Sequence, residues 1–312
     1  MRSAPVRAMP PMCSSLDASF GATSAGATCN GHRRPRVPEL PEVETMARVL
    51  HRSAVRHATI DSVKVHRPNV LRDCTPHALA TRARGATLKN FWRRAKYVIA
   101  DLSTGDRLVV SPRFTGSLDI EREGWARGAD DYTAIVFAFT DGTALRYRDV
   151  RRLGTVALMT PARFADWEAG LGPEPLDPAF TDAIFAANVR SSRRAIKTVL
   201  MDQRRVAGIG NIYANEALWL AKIRPSRRAS TLTLAESARL FAEARAILST
   251  AVAQGGTSFR DYRDPNGQRG GFLELAKVYS RQGEPCVRCG TMLRSTHAIE
   301  NRITVWCTKC QK

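Results

Sequence analysis

The chain has 312 residues, 44% of them hydrophobic, enough for two or three domains with real cores. Its formal charge of +19 points to a polyanion, most simply nucleic acid, the alternative being a basic surface with no binding role. No apolar run is long enough to span a bilayer, and seven cysteines in a chain of this length fit a reducing cytosol rather than a disulfide scaffold.

Residues 1–37 are rich in Ala, Ser, Pro and Arg, with one acid, Asp17, against five arginines, and carry no sustained periodicity. The segment reads as a disordered extension. Three readings fit it: an organellar transit peptide, an arm that adds charge for DNA, or a stretch absent from the working protein. The last is favoured. A valine codon, GTG, can serve as an initiator at Val37 and is then read as methionine, which is removed ahead of a small residue such as Pro38. Without the extension the charge balance is still +15.

Pro38-Glu39-Leu40-Pro41-Glu42-Val43-Glu44-Thr45 then opens an amphipathic helix. Leu40, Val43, Ala47, Leu50 and Ala54 recur at helical spacing, and Pro41 suits the first turn. Inside a chain Pro38 is an inert amide; as a terminus it is a secondary amine that attacks a sugar aldehyde to give an iminium ion. Strands are expected over 59–66, 86–102, 107–114, 132–140, 144–149 and 155–159, with Asp141-Gly142 as a tight hairpin turn. Many short strands of this kind predict a β-sandwich with the first helix packed against it. A short helix over 162–169 and a Gly/Pro-rich linker over 170–178 follow.

Residues 181–253 read as helical, with apolar spacing over 194–201, 211–221 and 234–252. Val206-Ala207-Gly208-Ile209-Gly210-Asn211 is a tight turn before the second of these, whose N-terminal amides suit a phosphate or, more plainly, make a helix–turn–helix corner. A Gly-rich basic loop spans 254–271. The pairs Cys286/Cys289 and Cys307/Cys310, 17 residues apart, favour tetrahedral zinc in a closed structural site; spacing alone also admits an iron–sulfur centre. Between them Arg302–Trp306 alternates like a strand, and Asn301 suits a turn that sets Arg302 at the tip.

From Pro38 to Lys312 the chain resembles the formamidopyrimidine-DNA glycosylase (MutM) family. PELPEVET, RRAKY at 93–97, LGPEPL at 171–176, GIGNIYANE at 208–216, QGGT at 254–257 and the terminal Cys₄ hairpin carry the likeness. The sibling endonuclease VIII group usually has glycine where Leu40 stands. The resemblance implies an α+β protein: an N-terminal β-sandwich with flanking helices over 38–170, a helix–two-turn–helix domain over 171–280 with a lesion loop at 254–271, and a zinc finger over 281–312. It implies a monomeric, cytoplasmic bacterial enzyme of the nucleoid that excises 8-oxoguanine and formamidopyrimidines from double-stranded DNA. The abasic strand would then be cut by β,δ-elimination. Organellar import applies only if the extension is a real transit peptide.

By the same resemblance Pro38 is the nucleophile, Glu39 the proton donor, Lys96 the residue assisting β-elimination, and Arg302 the one linked to δ-elimination. Arg152, Arg193, Lys197, Asn211 and Tyr132 match DNA-binding positions, and Thr257 and Arg260 the lesion loop. Where the family usually fills the vacated space with Met, Arg and Phe, this chain has Phe114, Arg151 and Leu153, and its usual histidine before that segment is Ser111. Bulk is thus expected to have moved from one wedge residue to another, ordinary core positions being the alternative. Other readings are an endonuclease VIII-like enzyme for oxidised pyrimidines, a non-catalytic damaged-DNA binder if the extension is retained, and a zinc-containing RNA-associated protein. The last explains neither PELPEVET nor RRAKY.

Overall fold

The computed structural model describes residues 38–121, 132–258 and 263–312. The extension to Val37 and the lesion-loop Arg260 lie outside the described residues. Helix α1 (Leu40–Arg52) has Pro41 in its first turn, and the Glu42 carboxylate reaches back to accept from the Glu39 backbone N–H at 2.8 Å. Its buried face serves two lobes. Val43, Met46, Ala47 and Leu50 enter the sandwich core, whereas Leu40 enters the helical core. The helix ends two residues before Ala54, so Ala54 is exposed and Val55 takes the buried place.

Among the described residues, nine strands form two sheets. One is antiparallel, in the order β1 (Ile60–Val65), β7 (Thr133–Phe139), β8 (Ala144–Asp149), β6 (Gly116–Glu121). The other runs β2 (Leu71–Arg72), β9 (Thr155–Met159), β5 (Arg107–Ser111), β4 (Tyr97–Leu102), β3 (Leu88–Arg94), with only the β2–β9 pair parallel. Alternation assigns the faces. Val98, Ala100, Leu108, Val110, Val156 and Leu158 meet Ile135, Phe137, Leu145 and Tyr147 inside the sandwich. Ile99, Val109, Ala157 and Met159 point the other way and are covered by Phe164 of α3 (Pro161–Ala169). Helix α2 (Pro76–Ala83), capped by Thr75, buries Leu79 and Ala83.

Beyond the linker, α4 (Asp182–Arg190), α5 (Ile196–Met201), α6 (Asn211–Leu220) and α7 (Leu234–Ala253) share a second core, in which Phe185 stacks on Phe241 and Phe180 meets both edge-on. A third, small core lies under the hairpin β10 (Arg294–Thr296) and β11 (Thr304–Trp306), where Trp219, Val278, Leu293 and Val305 pack beside Cys286 and Cys307. The α+β class expected from sequence holds.

Element boundaries differ in instructive places. The single strand expected over 86–102 is a two-residue hairpin, because Ala95 turns left-handed (φ 51°) and Arg94 pairs with Tyr97. The strand expected to reach Phe114 stops at Ser111, and β6, unassigned from sequence, follows a short loop. Helices α2 and α4 are too short to give a sustained period, and α5 begins two residues later than expected. No helix among the described residues is long and apolar enough to cross a membrane.

Candidate active site

The start of α1 is driven into the start of α6. The Glu39 carboxylate accepts from the backbone N–H groups of Gly210 (2.9 Å), Ile212 (2.9 Å) and Tyr213 (3.4 Å). The amides that the sequence offered to a phosphate are therefore taken by Glu39, a carboxylate on a helix N-terminus. Two glycines permit this approach. A β-carbon on Gly208 (φ +83°) would lie 2.6 Å from Leu40, and one on Gly210 would lie 2.3 Å from the Glu39 carboxyl carbon. Gly210→Ala is expected to displace that carboxylate and lower base excision about 100-fold, since an ångström of misplacement is enough for such a loss. Single-turnover excision alongside thermal melting checks this; excision within a few-fold of wild type would contradict it.

Burial pushes the Glu39 pKa up to about 7; the nearby Lys96 charge and the helix amides pull it down, while Glu42 adds to the rise. Glu42, also fully buried, is raised by desolvation and accepts from the Tyr213 hydroxyl (2.6 Å) and the Thr257 backbone N–H (2.6 Å). Tyr213 in turn meets the Thr257 hydroxyl at 2.9 Å. Thr257, expected in the lesion loop, is the buried latch at the loop's root. Pro38 is buried beside Glu39.

Lys96 occupies the β3–β4 turn. Glu174 holds that turn, accepting from the Ala95 backbone N–H (2.6 Å), Arg94 (3.0 Å) and Arg93 (2.6 Å), while Arg93 also pairs with Glu44 at 2.8 Å. Stripping one partner from a largely buried cluster of this kind typically costs about 3–5 kcal/mol. The stem of Lys96 is half-exposed, but its ammonium is desolvated enough to lower its pKa, against the pull of Glu39 and with the push of Arg302 and Arg113. Arg302 is exposed at the fingertip, behind left-handed Glu300 (φ 54°) and Asn301 (φ 51°).

Lys197, matched by resemblance to a DNA-binding position, lies inside the protein. It is fully buried, donates to the Ile303 carbonyl (3.0 Å) and the Thr304 hydroxyl (2.7 Å), and burial brings its pKa down to about 7. It props the strand behind Arg302 and faces no solvent. Asn215 braces the same strand, accepting from the Val305 N–H at 2.8 Å and donating to the Asn211 carbonyl at 2.6 Å. Asn211 is half-buried at the head of α6, and Arg193 is exposed before α5.

The wedge candidates come together on two loops, 112–115 and 150–153. The Arg151 guanidinium lies over the Phe114 ring, 4.9 Å from its centroid. Leu153 and Tyr132 are 46% and 43% exposed, unlike core residues, and Arg152 is exposed in a left-handed backbone (φ 55°). Tyr213, Glu174 and Asn215 were unassigned from sequence. All three sit inside or beside quoted motifs, but motif strings do not tell which side chain turns inward.

The four cysteine sulfurs lie within 4.8 Å of one another, with Cys286–Cys310 at 4.0 Å and Cys289–Cys307 at 3.5 Å. Tetrahedral zinc with ~2.3 Å bonds to sulfur has edges of ~3.8 Å, so the donor set fits a single ion. A β-sandwich, a helical lobe and a C-terminal Cys₄ cluster form an architecture shared with solved enzyme–DNA complexes.

Comparison with known proteins gives the family. The formamidopyrimidine-DNA glycosylase N-terminal domain profile matches residues 37–156 and its helix–two-turn–helix domain profile residues 171–263. The formamidopyrimidine-DNA glycosylase of Thermomicrobium roseum is 40% identical over 288 residues, covering 88% of this chain and 99% of that protein. That of Moorella thermoacetica is 43% identical over 259 residues, covering 82% and 93%. Among solved structures, a mutant Lactococcus lactis enzyme bound to Fapy-dG-containing DNA superposes with a TM-score of 0.82 at 31% identity, covering 88% of this chain and all of the other. The same organism's enzyme on abasic-site DNA gives 0.81 at 31%, covering 88% and 99%. The chain belongs to the formamidopyrimidine-DNA glycosylase family.

Proposed function

We propose that the chain excises oxidised purines, 8-oxoguanine and formamidopyrimidines, from double-stranded DNA and cuts the resulting abasic strand through a Schiff base on Pro38. The observation that carries this is the Glu39 carboxyl, adjacent to Pro38, sealed from water and brought to about pKa 7. At neutral pH about half of it holds a proton. It can therefore give that proton to the sugar ring oxygen as the Pro38 nitrogen bonds to the anomeric carbon and the base departs. The resulting iminium acidifies the neighbouring C2′–H. Loss of that proton expels the 3′ phosphate, and a second elimination expels the 5′ phosphate. An ammonium cannot attack, and a free α-amine titrates near pH ~8, so roughly a tenth of it is neutral and nucleophilic at pH 7.

Lys96, with its lowered pKa, is suited both to assist the first elimination and to hold a phosphate; Arg302 is suited to the second. Asn211, Arg152 and Arg193 would grip the backbone, and Phe114, Arg151 and Leu153 would fill the space the flipped base leaves. Incubating protein that begins at Pro38 with a duplex containing 8-oxoguanine tests the reading. A one-nucleotide gap with phosphate on both flanks is expected; an uncut strand with the base retained would overturn it.

The Cys286–Cys289–Cys307–Cys310 cluster would hold one structural zinc, leaving no open position for chemistry. Metal removal is expected to weaken duplex binding at least tenfold by releasing the Arg302 hairpin, with the second elimination falling more than the first. Titrating metal-depleted protein against an abasic-analogue duplex, with zinc content measured, checks this; equal affinity would contradict it. The same reading makes the protein a monomer of the bacterial cytoplasm working on the nucleoid.

A further inference from the structure

Arg113 and Arg152 are both arginines held in the left-handed region, φ 50° and 55°, where a β-carbon is disfavoured. They stand on the two adjoining wedge loops. Both are exposed, and neither guanidinium has a hydrogen-bond or ion-pair partner among the described residues. Backbone strain of this kind persists only where the surrounding structure imposes it, and it clusters at functional sites. Arg152 already matches a DNA-contact position; Arg113 has no assigned role.

The loop carrying Arg113 is rigid. The Gly116 N–H donates to the Pro112 carbonyl at 2.8 Å, and a β-carbon on Gly116 would lie 2.4 Å from that oxygen. The Thr115 hydroxyl donates to buried Asp149 at 2.5 Å and accepts from the Arg151 N–H at 2.9 Å, which locks the two loops together. Asp149 also accepts from the Gly154 N–H at 2.7 Å. On this frame Phe114 turns to Arg151, while the charge of Arg113 acts on Lys96 together with that of Arg302. The same loop thus carries the ring that meets Arg151 and, one residue earlier, an exposed positive charge.

We propose that Arg113 is a phosphate-gripping residue: its exposed, unpartnered guanidinium, carried in a left-handed backbone on a loop locked to the 150–153 loop, holds a backbone phosphodiester of the lesion strand. This rests on the DNA-lesion reading of the site. The ligand is one phosphodiester, bound by charge and hydrogen bonds, with no readout of the base.

The test is the salt dependence of binding to a duplex carrying an uncleavable abasic analogue, which needs no catalysis. Each lost phosphate contact lowers the slope of log affinity against log salt by about 0.9. Arg113→Gly relieves the left-handed backbone, so its melting temperature is expected to stay equal or rise while affinity falls roughly three- to tenfold and the slope drops by about one contact. Arg113→Lys should restore the slope. Arg84→Gln, which removes an exposed charge at the end of α2, should leave it unchanged. An unchanged slope in Arg113→Gly, or an equal drop in Arg84→Gln, overturns the inference. Failure of the wild type to bind the duplex would instead overturn the reading of the site.

Discussion

Protein whose chain starts at Pro38 is expected to be captured on an abasic duplex by borohydride, whereas protein in which Val37 remains joined to Pro38 is expected to give no adduct above background. The difference is electronic before it is steric. In a peptide bond the proline nitrogen lends its lone pair to the carbonyl, so it cannot attack an aldehyde. Freed, it is a secondary amine next to Glu39, whose own N–H is tied to Glu42 at 2.8 Å. Steric effects point the same way, since Pro38 is buried at the junction of the two lobes. Equal trapping by both species would remove Pro38 from the mechanism and shift attention to Lys96, the neighbouring amine. Because both species keep the same Cys₄ finger and the same wedge, duplex binding should survive in each, which separates lost chemistry from lost folding.

The parts of this site that were legible in the sequence are those written in short strings. PELPEVET, RRAKY and the two CxxC pairs each compress a local geometry into a few residues, and α1, the turn before α6 and the hairpin over the cysteines stand where those strings lie. What sequence could not give is which strings meet. Glu39 and the α6 amides are more than 170 positions apart, and only folding turns an apparent phosphate cradle into a seat for a carboxylate. Resemblance matched Lys197 to a DNA-binding position but could not show its surroundings: it is sealed under β11, where two oxygen partners offset its burial. Glu174 sits in LGPEPL, a string that carried the resemblance without any role for this side chain, yet its carboxylate fixes the lysine turn. Gly208 and Gly210 read as turn residues; their second duty, leaving room for Leu40 and Glu39, shows only in the packing.

Glu39→Gln is expected to lower excision of 8-oxoguanine by about 10²–10⁴-fold, the usual worth of a positioned general acid, while cutting of a preformed abasic site falls far less. An abasic sugar already opens to its aldehyde without help, so only the intact nucleoside depends on protonation of its ring oxygen. The amide keeps the size of the carboxyl but has no acidic proton to give. A parallel loss of both activities would show that Glu39 serves the lyase step or the fold instead. In wild type, excision should decline as pH rises through about 7, where Glu39 loses its proton; any residual excision by the Gln variant should lack that limb. Stability supplies an independent check. The folded pKa of about 7 lies above the ordinary carboxyl value of 4.5, so the unfolded chain ionises first. This contribution is fully present below about pH 4.5 and is lost as pH rises through 7, a change of about 3 kcal/mol. Denaturation at pH 5 and pH 8 should therefore show the wild type losing stability relative to Glu39→Gln across that window. Lys197 works in the opposite direction and in a separate range: its depressed pKa makes stability rise with pH only above about 7. A stability difference between wild type and Glu39→Gln that stays constant from pH 5 to 8 would mean that Glu39 is ionised throughout, and with it the general-acid role would fall.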